Sequence, residues 1–213
     1  MSAAFGTGYY PAMTTLQASP GSRLERRKAR TRAAILGAAS QLFSERGYDD
    51  TSIALIAELA DAGVGTVYGY FESKAEILQE VLLDHSRVAI QGYLDTIDDQ
   101  TPHIERIVAA LSTYAVYLRD NRTLLRAGFS SAVITSDNPE INGTYLLIAF
   151  EDMLSRGMDS GQLQRLPTRT TAQTILSAYA AGFLGLGGWF QRQDDPALES
   201  ELESVVRAML RPS

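Results

Sequence analysis

Residues 51–74 read TSIALIAELADAGVGTVYGYFESK, and within them two short helical patterns meet across a turn of a few residues. Ser52 is a capping type. Behind it Ile53, Ile56, Ala57 and Ala60 fall at i, i+3, i+4 and i+7, one face of a 3.6-residue period. A second helix is predicted over residues 63–70, directly after Asp61 and Ala62. So short a link makes the two helices cross steeply, which leaves the second free to project from the domain. The pattern predicts a helix-turn-helix whose second member enters a major groove of double-stranded DNA.

The stretch just before it adds Ile35, Ala39, Leu42 and Phe43 at helical spacing, ended by Gly47 and Tyr48. Four runs then stand in order: AA-x-x-LF-x-x-x-GY over residues 38–48, TS-x-x-x-IA over 51–57, GTVY-x-YF over 65–71 and SK-x-x-IL over 73–78. Together they resemble the N-terminal domain of TetR-family transcriptional regulators, and they are far more specific than a bare helix-turn-helix. The rest of the chain matches that family only in length and helical pattern.

The resemblance implies that Tyr68 and Lys74 contact phosphates, that Thr66 touches backbone or base, and that Val64 occupies a base-reading position. Ser52, with the first amides of its helix, is also placed for a phosphate. Tyr70 stays open between core and phosphate, while Val67 and Phe71 are assigned to the core. Several positions depart from the family pattern. Asp61 stands at the usual turn glycine, which is tolerable because aspartate visits left-handed geometry more readily than most residues. Gly63 stands where a capping serine is usual, and position 54, often arginine, is alanine. Val64, Gly65, Thr66 and Gly69 offer almost no bidentate hydrogen bonding, so base reading leans on thymine methyl groups and DNA shape.

The net charge of −6 is unevenly distributed. Residues 1–48 carry seven Arg/Lys against two Glu, and residues 77–213 carry eleven against seventeen. Arg23, Arg26, Arg27, Lys28, Arg30 and Arg32 crowd into ten residues at the start of the first helix. Beside the helix-turn-helix, Arg26, Arg27 and Lys28 are the expected phosphate-facing patch.

The fold expected is all-α, with about nine helices and three parts: a flexible arm over 1–22, a DNA-binding domain over 23–76 and a helical effector-binding and dimerisation domain over 77–213. Helix 1 is predicted over 24–46, and Ser73 with Glu76 reads as a capping box for helix 4, running to about residue 97. Thr101-Pro102 opens helix 5, helix 6 covers 121–134, and Asn138-Pro139 starts helix 7, ending near 157–161. Helix 8 is predicted over 169–191, and helix 9 follows Asp195-Pro196 to about Leu210.

In helix 8 the small residues Ala178, Ala181, Gly182, Gly185 and Gly188 line up. In helix 9 Leu198, Leu202, Val205, Val206, Met209 and Leu210 form an amphipathic stripe. The resemblance implies that these helices make a four-helix homodimer interface. It also implies a ligand pocket whose occupation moves helix 4 and the reading heads. Aromatic candidates for its lining are Tyr93, Tyr114, Tyr117, Phe129, Phe150, Tyr179, Phe183 and Trp189, with Met153 as filler, and they suit a small hydrophobic or amphipathic effector.

No apolar run reaches the ~18 residues a membrane span needs, no secretory pattern opens the chain and there is no cysteine, so a cytoplasmic protein is expected. His85 and His103 lack partners at metal-ligand spacing, adjacent Glu151 and Asp152 diverge around a helix, and no nucleophile motif occurs. No metal, cofactor or catalysis is expected. The expectation is a repressor that binds a pseudo-palindromic operator as a homodimer and is released by its effector. Its rivals are a helical sensor with a weakly specific head and an enzyme acting on small hydrophobic substrates.

Overall fold

In the computed structural model, which describes residues 22–94, 101–131, 133, 144–187 and 192–212, a capping box precedes the first helix. The Ser22 hydroxyl accepts from the Glu25 amide at 3.2 Å while the Glu25 carboxylate accepts from the Ser22 amide at 2.5 Å. Helix α1 (Arg23–Arg46) follows, and its burial starts only at Ile35, so its basic first turns stand clear of the core. It stops at Gly47, whose φ of 87° and ψ of 164° belong to a region essentially closed to side-chain-bearing residues.

Helices α2 (Ile53–Leu59) and α3 (Val64–Tyr68) form the predicted pair. Asp61 turns the chain between them with φ of 50°, the one positive φ outside glycine among the described residues. Ile35, Ala39, Phe43, Ile56, Val67, Phe71, Ile77 and Leu78 close over one another as the core of this head. Each fully buried large aliphatic contributes about 1.5–3 kcal/mol. Helix α4 (Lys74–Leu94) carries the chain away from the head; the predicted extension to residue 97 lies outside the described residues. Ser73 caps it as expected, accepting from the Glu76 amide at 3.1 Å, but the Glu76 carboxylate reaches one residue further back, to the Glu72 amide.

The body consists of α5 (His103–Asp120), α6 (Arg122–Ser130), α7 (Thr144–Asp159), α8 (Thr168–Leu184) and α9 (Leu198–Leu210). Among the described residues the chain is all helical, nine helices and no strand. The start of helix 7 predicted at Asn138-Pro139 lies outside the described residues. Helix α8 ends seven residues before its predicted limit. Gly185, expected inside the helix, adopts the left-handed conformation at its end (φ 63°, ψ 43°). Arg126 of α6 completes the stop by donating to the Leu184 and Gly185 carbonyls at 2.7 and 3.3 Å, where a helix end attracts a cation. One turn earlier on α6, Arg122 donates to the Gln193 carbonyl and the Asp194 carboxylate, both at 2.7 Å. The other side of α6 packs on α1 and α4, so this helix touches both the head and the link between α8 and α9.

Candidate nucleic-acid interface

The recognition segment divides as its period requires. Val67 is fully buried and Phe71 is 2% exposed, whereas Val64 and Tyr68 are 43% and 56% exposed. Gly65, Thr66 and Gly69 share that open side. Gly63 starts α3 with no side-chain cap, and Tyr70 is half-buried, packing on the core 6.5 Å from the Phe71 ring. Ser52 caps α2, its hydroxyl accepting from the Leu55 amide at 3.2 Å, and remains exposed.

Lys74, expected at a phosphate, is tied back into the head. Its ammonium donates to the Tyr48 carbonyl at 2.7 Å and the Thr51 carbonyl at 3.0 Å, and lies 4.2 Å from the Tyr48 ring centroid. Only one of its three N–H groups is left to point elsewhere. Burial, with a smaller contribution from Asp49, raises the Tyr48 phenol above its ordinary pKa. Thr51, a buried polar residue for which the sequence reading assigned no role, donates to the Gly47 carbonyl at 2.7 Å, with the Leu42 carbonyl at 3.3 Å. These bonds staple the end of α1 to the start of α2, which fixes where α3 projects.

Arg26, Arg27 and Lys28 are exposed on the free first turns of α1. Arg32, counted with them in the sequence, is occupied otherwise: it pairs with Glu80 of α4 at 2.6 Å and lies over the Phe71 ring.

In the body, Phe150, Tyr179 and Phe183 are buried core residues, Met153 packs partly buried against them, and Phe129 is exposed on α6. The side chain of Tyr93, and Gly188 and Trp189, lie outside the described residues. Tyr179 stacks at 5.9 Å from Phe183, and burial, then Glu199 and Glu203, push its phenol up to about 12. Tyr114 and Tyr117, neighbours on one side of α5, keep some accessible surface, yet burial raises both phenols well above their ordinary range. No hydrogen bond to either hydroxyl occurs among the described residues.

The small-residue stripe does not stay on the surface. Gly182 is buried against Leu198 of the same chain, where an added Cβ would come within 3.2 Å of a Leu198 methyl. Val206 is 3% exposed, packed inward with Leu198 and Leu210. Both are already closed over within one protomer and offer a partner no surface. Val205 is 58% exposed, and Ala178, Ala181, Leu202 and Met209 are partly covered. His85 accepts or donates a 3.0 Å bond with Ser40, and His103 lies against Arg106. Among the described residues no group of His, Cys, Asp and Glu could hold a metal ion, and no helix is long and apolar enough to cross a membrane.

Comparison with known proteins agrees with the geometry. Residues 35–81 match the family described as bacterial regulatory proteins, tetR family. The chain is 31% identical over 176 residues to the HTH-type transcriptional repressor BepR of Brucella suis biovar 1, a match covering 76% of this chain and 82% of that protein. Over 52 residues it is 46% identical to the HTH-type transcriptional regulator TtgR of Pseudomonas putida, 24% of this chain and 25% of the relative. The solved structure of FadR from Bacillus subtilis in complex with stearoyl-CoA superposes with a TM-score of 0.66 at 21% identity, covering 84% of this chain and 97% of that one, and shares its fold. A basic helix end beside an outward-facing second helix is what a protein needs to hold phosphate and enter a groove, and with these matches the chain belongs to the TetR family of DNA-binding transcriptional regulators.

Proposed function

We propose that this regulator is a repressor, that it binds a pseudo-palindromic operator as a homodimer and that a small hydrophobic or amphipathic effector releases it. The single observation that carries the reading is the recognition segment: Val64, Thr66 and Tyr68 open to solvent on a rod whose other side, Val67 and Phe71, is locked into the core. A lone five-residue helix covers few base pairs, so two heads about one turn of DNA apart supply useful affinity. Residues 23–76 form the DNA-binding part and 77–213 the effector and dimer part, with 1–22 as an arm. Arg26, Arg27, Lys28, Ser52 and Tyr68, with the remaining N–H of Lys74, hold phosphates.

What supports an effector is the pair of desolvated phenols at Tyr114 and Tyr117, one turn apart on α5, only partly covered and without a hydrogen-bond partner among the described residues. What supports transmission is α6, which leans on α1 and α4 while Arg122 and Arg126 grip the segment between α8 and α9. A ligand that widens the body displaces α6 and α4 together, changing the separation of the heads.

Footprinting on DNA from the protein's own promoter region at ~0.15 M salt tests the reading. A protected two-fold site is expected, lost when effector is added, and Tyr114→Phe with Tyr117→Phe should blunt the loss while leaving protection intact. Smooth salt-driven binding with no protected site would sink it.

A further inference from the structure

The open side of α3 carries one threonine hydroxyl and one phenol, and no Arg, Lys, Asn, Gln, Asp or Glu. Those absent types are the ones that form two-point hydrogen bonds with a base, to guanine O6/N7, adenine N6/N7 or cytosine N4. The cation nearest in sequence, Lys74, is held by the Tyr48 and Thr51 carbonyls, and the carboxylate nearest in sequence, Asp61, sits in the turn ahead of the helix. What α3 does present is apolar and small: the two methyls of Val64, 43% exposed, and the methyl of exposed Thr66. Between them stands Gly65. A Cβ built there meets nothing within 4 Å, so no packing within the protein accounts for a glycine that costs a helix about 1 kcal/mol. A bare backbone at that point lets the helix sink closer to whatever it faces. In the major groove only one base offers an apolar complement, thymine with its 5-methyl group.

We infer that the half-site is selected through thymine 5-methyl groups packed against Val64 and the Thr66 methyl, and not through the hydrogen-bonding edges of guanine or adenine. The inference rests on the reading that α3 enters a major groove, and it deepens that reading by naming the base and the atoms.

The test uses the full chain to select duplexes from a random-sequence library, then replaces each thymine of the selected half-site singly with deoxyuridine, which removes only the methyl group. Affinity at fixed salt should fall about fourfold at two positions, the worth of one buried methyl each. Both protein residues lie outside the core, so Val64→Ala and Thr66→Ser should fold. Each variant should abolish the deoxyuridine effect at one of the two positions, the pairwise coupling that a double-mutant cycle isolates. Selected sites in which deoxyuridine weakens binding nowhere, or in which a guanine dominates discrimination, would overturn the inference while leaving groove entry standing. Failure to enrich any sequence would remove groove entry itself, and the thymine inference with it.

Discussion

At the scale of single residues, the orientation of the recognition helix depends on two side chains outside that helix. Thr51 is 1% exposed, and its hydroxyl holds the Gly47 carbonyl, which lies past the last turn of α1. Thr51→Val keeps the shape and removes the donor, so it should lower the unfolding free energy by about 1–2 kcal/mol, the cost of a buried acceptor left unsatisfied. Urea unfolding with an unchanged m-value measures this, and a change under about 0.3 kcal/mol would contradict it. Lys74 bonds the Thr51 carbonyl and faces the Tyr48 ring, so its removal acts on the fold before it acts on DNA. Lys74→Met should lower stability by about 1 kcal/mol, discounted because the ammonium is partly solvated. The two losses should be non-additive, because both side chains secure the same junction. Should Lys74→Met change the salt dependence of DNA binding and leave stability untouched, the phosphate role would be the larger one.

At the scale of elements, what the sequence shows depends on whether the deciding contact is local. Helices α2, α3 and α9 were legible because period, cap and turn residue all lie within one segment: Ser52 before Ile53, Asp61 at positive φ, and Asp195-Pro196 before Leu198. The end of α8 was not, since its stop is completed by Arg126, far away in the sequence, and its apolar pattern runs on past Gly185. The partners of Arg32 and Lys74 were hidden for the same reason: a cation in sequence gives no sign of the distant carboxylate or carbonyl that will claim it. Helix α9 is fastened by another such contact. Arg207 donates to both Glu105 carboxylate oxygens, at 2.7 and 2.8 Å, and to Glu203 at 2.7 Å. The Arg207 hydrogen bond holds the Glu105 carboxyl below its ordinary range. A depressed carboxyl contributes stability above its unfolded pKa and loses it as pH falls toward the folded one. Wild type should therefore lose more melting temperature than Arg207→Gln between pH 6 and pH 3.5. Parallel losses in the two proteins would show that the pair adds nothing measurable, as exposed pairs often do.

At the scale of the whole molecule, charge and symmetry meet. The positive charge of residues 1–48 is carried mainly by the projecting start of α1, while residues 49–76 hold six acidic groups and one lysine, so phosphate attraction is confined to one corner of each head. A single corner gives little orientation. In the proposed dimer, two corners presented together by paired bodies fix the heads on the duplex. A pairing surface on α9, as proposed, would lie on side chains the protomer has not already closed over, which gives adjacent residues of that helix opposite expected roles. Val206 is 3% exposed and Val205 58% exposed. Val206→Ala should cost about 1–3 kcal/mol in unfolding of the protomer, the penalty for a cavity at a packed site, without changing the association of the molecules that remain folded. Val205→Asp should do the reverse: near-native stability of the protomer, dissociation seen by sedimentation at micromolar concentration, and loss of operator protection, because a buried unpaired carboxylate opposes the interface while costing nothing in water. A Val205→Asp protein that still sediments as a dimer and still protects two half-sites would move the interface off α9, and with it the geometry that sets the heads one turn of DNA apart.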